Sequence, residues 1–127
     1  MPDDDDGKKI LYVMTHGVDS PERCATPFYL SAAAAAMDNE VGIYFTMNGP
    51  QLLRKGTPEK IGPKGDRGQR LKFFIDQALD VGVKLYVCQP SLDLNDLQKD
   101  DLIPEVEMIG GAAFNNMALE SDRVICF

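Results

Sequence analysis

Five short runs rich in apolar, β-branched and aromatic residues recur along the chain with helix-length segments between them, and this alternation constrains the fold more than any other feature. The runs occupy residues 8–15 (KKILYVMT), 41–47 (VGIYFTM), 83–88 (VKLYVC), 105–109 (EVEMI) and 123–127 (RVICF). The first two are almost continuously apolar, as expected of strands covered on both faces. Between them the helix signals are local. Ser20-Pro21-Glu22 and Thr26-Pro27 each read as a helix start, so the spacing predicts a short turn followed by a main helix over residues 27–38, since proline inside one continuous helix would lose a bond and clash. Gly49-Pro50 opens a short helix that Gly56 ends, and Leu71, Phe74, Ile75, Ala78 and Leu79 trace one apolar helical face that Gly82 stops. A further short helix is expected from Ser91 as its cap, and another over residues 111–120 burying Ala113, Phe114, Met117 and Ala118. Strands alternating with helices give a three-layer α/β/α domain around a five-stranded parallel sheet. The alternating charges of EVEMI mark the fourth strand as an edge, which favours the order 4-3-2-1-5 over the flavodoxin-like order 2-1-3-4-5, where that strand would be buried.

At 127 residues the chain suits one domain, placed over residues 8–127. Residues 1–7 carry four consecutive aspartates with nothing apolar to bury and are expected to be a disordered acidic tail. A formal net charge of -7 argues against nucleic acid or an anionic membrane as partner and leaves a basic protein partner allowed. No apolar run approaches the roughly 18 to 20 residues of a membrane span, and the acidic start lacks the basic and apolar regions of a signal peptide, so the expected location is the cytoplasm. Cys24, Cys88 and Cys126 are too scattered for a disulfide framework or a zinc site, and His16 is the single histidine, so no metal and no cofactor is indicated. Thiol chemistry in a reducing compartment fits better.

Among the thiols, Cys88 stands apart by position. The Gln89-Pro90-Ser91 that follows cannot continue a strand, so Cys88 sits at a strand's carboxyl end, the sheet edge where ligands collect and helix N-termini point inward. Free N–H groups of a helix beginning there would stabilise a thiolate or the more acidic terminal sulfur of a persulfide. Gln89 and Ser91 are candidate donors to that sulfur. Asn48, Gly49 and His16, at the ends of the second and first strands, share the same edge and are candidate pocket residues. Cys24, just before the main helix, reads either as a packing thiol or as a resolving partner for Cys88, and Cys126 reads as core filling. The loop THGVDS after the first strand gives only a weak phosphate-loop signal and lacks flanking aromatics for a flavin. The polar loop over residues 56–68, with glycines at 62, 65 and 68, lacks the preceding strand and G-K-[ST] ending of a phosphate loop, though its length suits a functional role. Asp100-Asp101 and Glu105/Glu107 read as solvated charge.

Three stretches carry a family likeness: FYLSAAAAAMDNEVGIYFTMNG over residues 28–49, GVKLYVCQPS over 82–91 and DLIPEVEMIG over 101–110. On these the chain resembles the DsrE/DsrF-like family of small α/β proteins, which includes sulfur-relay subunits and members known only as predicted peroxiredoxins. The resemblance implies a sulfur-carrying role for Cys88, sulfur donor and acceptor proteins as partners, no cofactor, and assembly into a homo-oligomer (trimer or hexamer) or a heteromer with paralogues. Pro27, Cys24 and the loop over residues 56–68 depart from the family pattern. The leading reading is a sulfurtransferase or sulfur carrier that holds sulfane sulfur as a Cys88 persulfide. Two alternatives stand beside it: a non-catalytic assembly or small-ligand binding subunit of the same fold, and thiol redox chemistry of the peroxiredoxin type. The last requires Cys24 and Cys88 to approach disulfide geometry, with Cα atoms about 4.4 to 6.8 Å apart.

Overall fold

The computed structural model describes residues 7–127, so the expectation for the acidic residues 1–6 lies outside the described residues. Strands β1 (Lys9–Met14), β2 (Glu40–Phe45), β3 (Lys84–Cys88), β4 (Val106–Ile109) and β5 (Arg123–Cys126) form where the apolar runs stand. They build one parallel sheet in the order β4-β3-β2-β1-β5, as the charged face of the fourth run requires. Four α-helices connect them: α1 (Thr26–Ala36), α2 (Leu71–Asp80), α3 (Gln89–Leu94) and α4 (Gly111–Glu120). Short 3₁₀ turns at Pro21–Arg23 and Gly49–Leu53, with α1 itself, match the three proline-led starts read from the sequence.

The two faces of the sheet are covered unequally. On the first, alternate residues Tyr12, Met14, Val41, Ile43, Phe45, Leu85 and Val87 meet α1 and α2, forming the larger core. The apolar face of α2 lies there through Leu71, Ile75 and Ala78, and Phe28 of α1 packs on Phe45 with ring centroids 5.6 Å apart. Burying each such aromatic contributes about 1.5–3 kcal/mol. On the second face, Leu11, Val13, Tyr44 and Ile109 are covered by α4 through Phe114, Met117 and Ala118.

Two sequence expectations are corrected here. Cys126 is exposed rather than core filling, and Ala113 of α4 is exposed with Phe114, Met117 and Ala118 only half-buried. Every residue of β5 is exposed because this edge strand pairs with β1 alone and the helices leave it uncovered. The helix after β3 also starts earlier than expected. Pro90 fits its first turn, where the missing N–H costs nothing, so Cys88 itself is the N-terminal flanking residue and Ser91 lies inside that turn.

Candidate functional site

β3 delivers Cys88 to the carboxyl edge of the sheet, half-buried and on the α4 side. The register explains its neighbours. Tyr44 of β2 pairs with Tyr86, so it shares the face on which Cys88 emerges two residues later, and Thr46 follows at the next position on that side. Burial is the largest single influence on the Cys88 thiol and pushes it up. Polar groups around the sulfur oppose it: the Ser91 hydroxyl, the Tyr44 hydroxyl, the Ser91 backbone N–H at the start of α3 and the Thr46 hydroxyl. Together they win, and the thiol lies below its ordinary value. Tyr44 is pushed the other way, first by burial and then by Cys88 itself, so its hydroxyl keeps its proton and serves as a donor. Its ring is held against Phe114 of α4, centroids 4.3 Å apart.

Ser91 is the centre of the polar arrangement. It is buried, its Oγ accepts the Met47 N–H at 2.9 Å, and it lies 3.2 Å from Thr46 Oγ1. The Met47 N–H occupies one lone pair of Ser91 Oγ, and the hydroxyl protons of Ser91 and Thr46 serve the 3.2 Å contact between them and the sulfur beside them. Met47 adopts a left-handed backbone, φ 56°, uncommon for a side chain of this kind. Asn95 holds it there: Asn95 Nδ2 donates to the carbonyls of Met47 and Ser91, both at 2.7 Å. Gln51 Nε2 donates to Asn95 Oδ1 at 2.8 Å, and the Val18 N–H donates to Gln51 Oε1 at 3.0 Å. This chain of hydrogen bonds ties together the loops that follow β1, β2 and β3.

The other expected site residues fall as follows. Gln89 is exposed directly beside Cys88. Asn48 is exposed and its backbone N–H donates to the Thr15 carbonyl at 3.2 Å. Gly49 is buried so close to β1 that a Cβ there would stand 2.4 Å from the Met14 carbonyl oxygen, which is why this position takes glycine. His16 is half-buried just past β1, with β2 between its strand and that of Cys88. Cys24 is fully buried in the first-face core, whereas Cys88 packs against the second, so the fold does not draw the two thiols into one cluster. Burial pushes the Cys24 thiol up to about 11, against a weaker pull from its backbone hydrogen bond and Arg70. Sequence reading missed Tyr44, Thr46, Gln51 and Asn95. Strand alternation could have found the first two.

Among the described residues no group of three or more His, Cys, Asp or Glu could hold a metal ion, and no helix is long and apolar enough to cross a membrane. What remains is a small wound α/β domain with one activated thiol at the mouth of its parallel sheet. The DsrE/DsrF-like family model matches residues 8–127, and the chain belongs to that family. It is 29% identical over 153 residues to the sulfur carrier protein DsrE2 of Allochromatium vinosum, covering 91% of this chain and 95% of that protein. It is 25% identical to the uncharacterized protein MJ0760 of Methanocaldococcus jannaschii, over 85% of this chain but only 38% of that longer protein. Among solved structures the ychN protein of E. coli superposes with a TM-score of 0.78 at 16% identity, covering 94% of this chain and 99% of that one. The MTH1491 protein of Methanobacterium thermoautotrophicum gives 0.63 at 12% identity, covering 96% and 100%. These two likenesses are of fold.

Proposed function

We propose that this protein is a sulfur carrier that relays sulfane sulfur between protein thiols as a Cys88 persulfide. The observation that carries the reading is a half-buried sulfur at the carboxyl end of β3, flanking the start of α3 and set beside Tyr44 of β2 and the buried Ser91. In the loading step the Cys88 thiolate attacks the outer sulfur of a donor persulfide R–S–SH. A new S–S bond forms to Cys88, the donor S–S bond breaks, and R–S⁻ leaves. In the delivery step an acceptor thiolate attacks the outer sulfur of Cys88–S–SH, and Cys88 leaves as its thiolate with the proton remaining on the transferred sulfur. Neither step changes the total oxidation level, so no oxidant is consumed. The donors act on the second step above all, because the Ser91, Tyr44 and Thr46 hydroxyls and the Ser91 N–H stabilise the departing charge. Gln89, Asn48 and His16 line the approach and contact the incoming partner.

The relationship to a protein named as a sulfur carrier supports this reading. The protein is taken to work in the cytoplasm, without a cofactor, and as an oligomer of its own kind or with paralogues. The uncovered β5 and half-covered α4 offer a surface for that assembly. The test is mass spectrometry after incubation with polysulfide or a persulfidated thiol. Wild type is expected to gain one sulfur atom on the peptide that carries Cys88, removable by a reductant and read apart from that of the exposed Cys126, and Cys88→Ser is expected to gain none there. No addition to that peptide in wild type, or equal addition to it in Cys88→Ser, overturns the proposal.

A further inference from the structure

The net charge of -7 conceals a reversal of sign in one segment. Six of the thirteen lysines and arginines but only two of the twenty acids lie in residues 54–70, so this segment carries +4 and the rest of the chain -11. It is the polar loop that joins the turn after β2 to the start of α2. Both ends of the loop are at the carboxyl edge of the sheet, since it leaves from Leu53 just beyond β2 and returns at Leu71, from which α2 runs down to feed β3. The basic segment and Cys88 therefore share one edge.

The loop is built rather than slack. The Arg70 guanidinium donates to the carbonyls of Lys60 at 3.0 Å, Gly65 at 2.6 Å and Arg67 at 3.2 Å, and Lys64 and Arg67 pair across a tight antiparallel turn. Arg70 spends its charge inside the loop, and the cations of Arg54, Lys55, Lys60, Lys64 and Arg67 are left facing solvent. A cleft of about 240 Å³ connects this segment to the thiol's own frame. It is lined by Arg54 and Thr57 of the loop, by Gln51 and Asn95 of the hydrogen-bond chain that holds Ser91, and by Val18 and Leu97. Val18 in its lining is exposed, and so are Met47 and Leu94, joined to Asn95 by a hydrogen bond and by the chain: the three are respectively 43%, 56% and 61% exposed. Each belongs to, or directly adjoins, a residue of that hydrogen-bond chain.

The geometry points to a docking surface for a protein segment that brings its sulfur-bearing cysteine to Cys88 with acidic residues laid on the loop over residues 54–70. Apolar side chains beside a charged rim suit a polypeptide, since apolar contact near the reacting atoms gives affinity and the cations give orientation and on-rate. A nucleic acid would meet the same cations but has no use for the exposed apolar side chains of Val18, Met47 and Leu94. This inference rests on Cys88 being the sulfur-carrying thiol.

Two short peptides test it, each with one cysteine persulfide, one flanked by glutamates and the other by lysines, with mercaptoethanol persulfide as a donor of no fixed charge. Loading of Cys88 is followed by mass spectrometry of the peptide that carries it, at timed quenches, apart from the exposed Cys126. Net charge alone predicts that the lysine peptide loads faster. The docking surface predicts the reverse at low salt, by roughly three- to tenfold, fading toward equality at about 0.5 M salt. The variant Lys60→Glu/Lys64→Glu/Arg67→Glu, all at exposed positions, is expected to reverse the preference while loading from mercaptoethanol persulfide as fast as wild type. Equal rates for the two peptides, a lysine preference in wild type, or tight binding of an oligonucleotide without a glutamate preference overturns the inference. If mercaptoethanol persulfide itself fails to load wild type, the sulfur-carrier reading falls first, and this inference with it.

Discussion

Replacing Ser91 by alanine removes one hydroxyl that serves two partners, the Cys88 sulfur and the Met47 N–H. A hydrogen bond to a charged group contributes about 1.5–3 kcal/mol. Cys88 is half-buried, so water replaces part of the lost bond, and a loss of about 1 kcal/mol is the reasonable expectation. That corresponds to a change of roughly fivefold in the thiol's ionisation constant. The sign follows from the donor's preference: it stabilises the anion, so its removal makes the thiol titrate at higher pH. The assay is iodoacetamide labelling across pH, read on the peptide that carries Cys88 because Cys126 is exposed as well. A more basic thiolate is intrinsically more nucleophilic, so the midpoint of the profile carries the test rather than its plateau. The midpoint is expected to move up in Ser91→Ala, and also in Tyr44→Phe, which keeps the ring on Phe114 and removes only the hydroxyl. An unmoved or lowered midpoint in both variants, with native circular dichroism retained, would refute the account of how this thiol is activated.

Three further outcomes follow from the same structure. Cys24 titrates at about 11 when folded against an ordinary 9.0, so the folded state holds its proton more tightly; the stability it confers is full below pH 9.0 and is lost as pH rises toward about 11. Urea midpoints for wild type should fall more steeply over that interval than those for Cys24→Ala. Gly49→Ala places a methyl 2.4 Å from the Met14 carbonyl oxygen and is expected to lower stability by about 1–3 kcal/mol in urea unfolding, with the loop after β2 displaced. Asn95→Leu leaves the Met47 and Ser91 carbonyls without their shared donor; a loss of about 2 kcal/mol and faster hydrogen exchange at the Met47 amide are expected, and unchanged exchange would show that Asn95 does not hold this loop.

The fold was legible because it rests on local signals that agree with one another. Apolar runs set the strands, Pro21, Pro27 and Pro50 opened helical turns, and the charges of Glu105 and Glu107 told an edge strand from a central one. Cys88 was legible for the same reason, as the last residue before a sequence that cannot remain a strand. Cys126 was misread because an alternating apolar pattern says which residues share a face and not whether anything covers it. The polar support of the thiol was hidden for a different reason. Thr46 and Ser91 are 45 positions apart, Gln51 and Asn95 are 44 apart, and only the sheet order brings them together. Ser91 reads from the sequence both as a helix cap and as a candidate donor to the sulfur; it lies inside the first turn instead of capping it, and its acceptance of the Met47 N–H depends on where the loop after β2 lies.

That dependence has a consequence for the protein's life before it is complete. A chain still emerging, with β2 made and β3 unpaired, keeps only Ser91 of the α3 turn beside Cys88 and lacks the Tyr44 and Thr46 hydroxyls. The full lowering of this thiol therefore waits on the parallel pairing of β2 with β3, and its labelling midpoint doubles as a readout of whether those two strands have paired.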